Sequence, residues 1–143
     1  MDGSVAGVYL PTRSTKLSRP LLMWRIPAGF PSPAADYVEG RVDLNRDLIK
    51  HPLATFYIRV AGDSMLPRIQ PGALLLVDRM VETKEDDVIV ARIGDDLCVK
   101  KLHIEGDGRV WLISENADYA PIEIEEEHDF EVWGRVMYSI NRH

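Results

Sequence analysis

The residues with chemistry to offer are one serine and two lysines. Ser64 stands in the stretch Gly62-Asp63-Ser64-Met65-Leu66-Pro67. Lys100 and Lys101 interrupt the apolar run Leu97-Cys98-Val99-Lys100-Lys101-Leu102. A serine hydroxyl is a weak nucleophile until a base takes its proton. A neutral lysine can be that base, and burial lowers a lysine pKa from about 10.4 by up to ~3–5 units. Serine with lysine is a known nucleophile–base pair. The spacing excludes the G-x-S-x-G elbow of α/β-hydrolases, because Leu66 stands where its last glycine belongs. Taken alone, the stretch around Ser64 favours a turn serine bonded to nearby backbone. The lysine strand shifts that balance toward chemistry.

Elements must position these groups. In 54–60, Ala54, Phe56, Ile58 and Val60 fall on one face of a strand, and Thr55, Tyr57 and Arg59 on the other. Gly62 ends that strand and Pro67 bars a long helix after it. Ser64 is therefore expected at a strand end. In the lysine strand, Cys98 and Leu102 share a face with Lys100, while Leu97 and Val99 share one with Lys101. Alternation leaves open which lysine meets the packed side.

The pattern predicts one short helix over 43–50, capped by Asp43, with Leu44 and Leu48 at i and i+4 and Pro52 as a stop. Further strands are expected at 73–77, continuous and buried on both faces, and at 88–92, 97–102, 110–113 and 130–138. Turns fall at 94–96 and 105–108. Short strands with frequent turns predict a mainly β domain. Residues 1–28 read as an arm broken by glycine, proline, serine and threonine, with one short extended piece at 21–26. Nothing in them resembles a helix-turn-helix.

A chain of 143 residues suits one domain with one core. Its 45% hydrophobic and 28% charged residues exclude wholesale disorder. The net charge of −6 argues against DNA binding as the main function. Residues 1–28 carry +3 and the remainder −9, so a basic arm is attracted to an acidic body. Cys98 is the single cysteine, which rules out an internal disulfide and fits a reducing cytoplasm. The apolar run Leu21-Leu22-Met23-Trp24 is too short for a signal peptide or a membrane span. Glu123, Glu125, Glu126 and Glu127 beside His128 read as solvated charge rather than a metal site. Gly106-Asp107-Gly108 reads as a turn rather than a phosphate loop, and Trp111 and Trp133 as core or interface residues. No metal or cofactor is expected.

Three motifs occur in order: Ala28-Gly29-Phe30-Pro31-Ser32-Pro33-Ala34-Ala35-Asp36-Tyr37, then Gly62-Asp63-Ser64-Met65, then Val99-Lys100-Lys101-Leu102. Together they resemble the UmuD family, relatives of the self-cleaving C-terminal domain of LexA-type repressors. Asp43-Leu44-Asn45, His51-Pro52, Ser114-Glu115-Asn116 and Trp133-Gly134 add weaker support, so the likeness runs from about Ile26 to Tyr138. The resemblance implies a mainly β, LexA-like C-terminal peptidase domain over 29–143 with a flexible N-terminal arm over 1–28. It implies Ser64 as nucleophile, Lys100 as general base, and a cut between Ala28 and Gly29. The Ser64 backbone N–H would stabilise the oxyanion.

The resemblance also implies a homodimer that cleaves itself when docked on a RecA filament on single-stranded DNA. The product would join a UmuC-like Y-family polymerase subunit for translesion synthesis in the SOS response of a bacterial cytoplasm. Sequence-specific DNA binding and membrane attachment are not implied. The chain departs from the family at Ala28, where cysteine is frequent, at Pro27, and in a shorter loop after Ser64. The alternative is a non-cleaving, polymerase-binding regulatory module with a vestigial Ser–Lys site. A signal-peptidase-like enzyme would share the serine–lysine logic but need a membrane anchor.

Overall fold

The computed structural model describes residues 5–10, 18–22 and 38–143. Its elements run β1 (Val5–Tyr9), β2 (Ser18–Leu22), β3 (Val38–Asp43), α1 (Leu44–Leu48), β4 (Thr55–Val60), β5 (Leu74–Asp78), β6 (Val88–Ile93), β7 (Asp96–Ile104), β8 (Val110–Ile113), β9 (Ile122–Ile124) and β10 (Phe130–Ile140). An antiparallel sheet has the order β1-β4-β5-β10-β6-β7-β8-β9, and β2 pairs separately with β3. The fold is mainly β, as the pattern of short strands and turns predicts.

Strand patterning explains the packing. Phe56, Ile58 and Val60 of β4 are buried and Arg59 is exposed. β5 lies between β4 and β10, and its consecutive Leu75, Leu76 and Val77 are all buried, as a strand covered on both faces requires. Asp78 at its end is buried too, accepting from the Met80 N–H at 2.8 Å and meeting His51 Nδ1 at 2.5 Å. β10 bridges β5 and β6 with a register shift beside Gly134, where a Cβ would lie 2.8 Å from the Asp78 carbonyl oxygen. Only glycine permits that approach.

Alternation along β6 and β7 feeds two apolar clusters, one on each face. Val88, Val90 and Val99 join Phe56, Ile58, Val60, Met65 and Ile69. Ile89, Ala91, Cys98 and Leu102 join Leu112. Gly94 turns β6 into β7 with φ +60°, a conformation that favours glycine.

Several elements differ from expectation. The helix is shorter than 43–50. Asp43 caps it, accepting from Asn45 N at 3.1 Å and Arg46 N at 3.4 Å, but Ile49 already turns extended and Leu44 is exposed. A 3-10 turn over Pro52–Ala54 delays the next strand to Thr55. β9 has no counterpart in the sequence reading, because three residues show too little alternation. The stretch read as an arm contributes two strands. β1 extends the sheet edge along β4, and β2 pairs with β3. An edge strand is held by main-chain hydrogen bonds, so β1 needs no strong apolar period. The expected cut site, Ala28 and Gly29, lies outside the described residues.

Candidate active site

β4 ends at Val60 and the chain turns through Ser64 toward Ile69. The turn is closed by Leu66 N–H to the Asp63 carbonyl at 3.1 Å and Ile69 N–H to the Met65 carbonyl at 2.8 Å. Met65, fully buried, anchors it in the cluster of Ile58 and Val60. Ser64 is also fully buried, and among the described residues its Oγ has no hydrogen-bond partner. A turn serine would spend that hydroxyl on nearby backbone. Leaving one buried and unpaired costs about 1–3 kcal/mol, and such groups call for a functional explanation.

Strand register decides between the lysines. Lys100 faces Ile89 of β6 on one side. Across β7 and β8, Lys101 pairs with Ile113, so the next step of the same register brings Ser114 opposite Lys100. Lys100 is 1% exposed, and its Nζ donates to Ser114 Oγ at 2.7 Å. The Tyr119 ring centroid lies 5.5 Å from the same nitrogen. Lys101 points to the other face, half-buried, with Nζ 3.8 Å from Glu115. Lys100 is thus the dehydrated lysine.

Segment 114–119 touches both halves of the site. Asn116 N–H donates to the Ser64 carbonyl at 2.9 Å, and Asn116 Nδ2 to the Asp63 carbonyl at 3.1 Å. The Tyr119 hydroxyl donates to Asp63 Oδ1. Ser114 holds Lys100 while Asn116 and Tyr119 hold the Ser64 turn. The contacts of Ser114 and Tyr119 were not read from the sequence. The available signal was a polar run directly after the apolar strand 110–113.

Dehydration favours the uncharged form of a titratable group. At Cys98, which shares the Lys100 face of β7, burial pushes the thiol up to about 11.

The other candidates have partners of their own. Glu123 lies in β9 with Oε1 3.7 Å from Arg109 Nη1, and His128 Nδ1 accepts the Glu125 N–H at 2.9 Å. His103 pairs with Glu85 at 2.7 Å. Trp133 packs edge-on against Phe56 at 6.1 Å. Among the described residues, no group of three or more His, Cys, Asp or Glu is placed to hold a metal ion. No helix among them is long and apolar enough to cross a membrane.

A family model described as Peptidase S24-like matches residues 20–137. Protein SamA of Salmonella typhimurium is 39% identical over 96% of this chain and 94% of its own length. Protein MucA of Escherichia coli is 36% identical over 88% of this chain and 86% of its own. LexA repressor 1 of Pseudomonas syringae is 37% identical over 86% of this chain but 61% of its own length.

Proposed function

The chain belongs to the Peptidase S24-like family, with UmuD-type relatives along most of its length, and from that membership we propose that it is a serine peptidase that cuts its own N-terminal arm. In this reading Ser64 attacks the peptide bond between Ala28 and Gly29, and Lys100 takes its proton. The cut divides residues 1–28 from a peptidase domain over 29–143. The observation that carries the reading is a buried serine hydroxyl without a partner among the described residues, in a turn bonded to the segment that also holds a buried lysine amine. An amine withdrawn from water is biased toward the neutral form that a general base requires. The small side chains of Ala28 and Gly29 let backbone press into a narrow site, and the Ser64 N–H would hold the oxyanion.

The proposed setting is the SOS response of a bacterial cytoplasm. A RecA filament on single-stranded DNA stimulates cleavage, and the shortened homodimer serves a Y-family polymerase subunit in translesion synthesis. The UmuD-type relatives support that setting.

Intact-mass measurement of the purified full chain, at neutral and alkaline pH and with and without filament, tests the reading. The expected products are residues 1–28 and 29–143, with Gly29 as the new N-terminus. Ser64→Ala should remain folded and uncut. Cleavage of that variant at the wild-type rate would remove Ser64 as nucleophile. Absence of any cleavage under all four conditions would favour the non-cleaving polymerase-binding module.

A further inference from the structure

We propose that Ser114 is a positioning residue for the Ser64–Lys100 reaction: its hydroxyl aims the Lys100 amine and stabilises the ammonium formed during attack. This role presupposes Ser64 as nucleophile and Lys100 as base. The strand register makes Ser114 the cross-strand neighbour of Lys100, and the two side chains meet at 2.7 Å in a buried setting. Ser114 is itself only 9% exposed. A lysine side chain has four rotatable bonds, and a neutral amine has one lone pair. Fixing an Nζ–H on Ser114 Oγ restricts where that lone pair can point.

The chemical step gives the contact a second use. As Ser64 Oγ bonds to the scissile carbonyl carbon, the carbonyl π pair moves onto its oxygen. The Ser64 O–H bond breaks, and its proton joins the lone pair of Lys100 Nζ. The amine becomes an ammonium, and its bond to Ser114 becomes charge-assisted, which roughly doubles its strength. A contact stronger in the transition state than in the ground state accelerates the reaction.

The surroundings of Lys100 make this contact testable by pH. β6 offers Ile89, β8 offers Leu112, and β7 itself offers Cys98 and Leu102 on the same face. Among the described residues, the Cys98 thiol and the Tyr119 phenol face the amine, and the Tyr119 hydroxyl is bonded to the Asp63 carboxyl. Glu115 turns instead toward Arg68, at 3.1 Å, and Lys101. Ser114 does not titrate in this range, so removing its hydroxyl changes the lysine without adding or deleting a titrating group.

The experiment is the self-cleavage rate against pH for the full-length wild type, Ser114→Ala, Ser114→Thr and Lys100→Arg. Ser114→Ala should lower the alkaline plateau by about tenfold or more, the worth of a hydrogen bond to a charged group. Its rising limb should also move to lower pH, because the ammonium has lost an acceptor. Ser114→Thr, which keeps the hydroxyl, should return both features toward wild type. A merely structural serine would lower the melting temperature and the rate but leave the limb in place, and an unmoved limb overturns the proposal. Should the alanine variant not melt cooperatively, Ser114→Val, which has the shape of the threonine variant but no acceptor and no titrating group, is compared with Ser114→Thr by the same criterion. Wild-type cleavage by Lys100→Arg would instead sink the lysine as base, and the role of Ser114 with it.

Discussion

The two faces of β7 carry titratable side chains under opposite conditions. On one face Cys98, Lys100 and Leu102 are 0%, 1% and 4% exposed, and the Lys100 amine donates to the neutral Ser114 hydroxyl. On the other, Lys101 and His103 reach water and pair with Glu115 and Glu85. The strand is one sequence with one backbone. The difference teaches that a titratable group's chemistry follows from the cover it is given: neutral partners and dehydration favour uncharged forms, and carboxylates in water favour charged ones.

The largest break of that comparison is to exchange the lysines one at a time. Lys100→Arg replaces the buried amine by a guanidinium that stays protonated at any usable pH. Self-cleavage should fall below detection. Lys101→Arg keeps a cation beside Glu115 in partial solvent, where such pairs contribute little, and its rate should stay within about threefold of wild type. Cleavage assayed by intact mass across pH separates the two. Activity kept at position 100 and lost at 101 would reverse their roles.

A smaller effect sharpens the buried face. Cys98 has its thiol pushed from an ordinary 9.0 to about 11 by burial. The unfolded chain therefore loses this proton before the folded one does. Stability from the neutral thiol is fully present below pH 9 and declines as pH rises toward 11. Cys98→Val, which cannot ionise, should show a shallower alkaline decline. Urea unfolding from pH 8 to 11 measures it, and identical slopes for variant and wild type would show that the thiol is not the source.

The smallest effect belongs to the exposed face. The hydrogen bond that His103 Nδ1–H donates to the Glu85 carboxylate raises the pKa of His103, with charge attraction adding to it. This pairing contributes at pH values below the ordinary histidine range and is lost as pH rises through the elevated folded value. Glu85→Gln should bring the His103 titration, followed by NMR, back toward the ordinary value, with little change in melting temperature. A His103 titration unchanged by the substitution would remove Glu85 as the cause.

Much of the architecture was legible in the sequence because packing enforces periodicity. The alternation of Phe56, Ile58 and Val60, the unbroken Leu74 to Val77 run and the Gly94 turn each state their own structure. β1 was not legible, because an edge strand is held by backbone bonds that leave little mark on side-chain choice. β9 was too short to show a period.

At the site, local chemistry and the order of three motifs pointed to Ser64 and to a lysine pair, and the likeness to UmuD singled out Lys100. The strand pattern itself could not choose between adjacent lysines. Alternation states only that they face opposite ways. Which way is inward depends on what crosses each face, and here the register with β6 and β8 brings Ile89, Leu112 and Ser114 to the Lys100 side. The sequence by itself determined the residue types and the strands that carry them. Tertiary structure alone decided which amine lost its water and which hydroxyl was left without a partner among the described residues, because dehydration depends on neighbours distant in sequence.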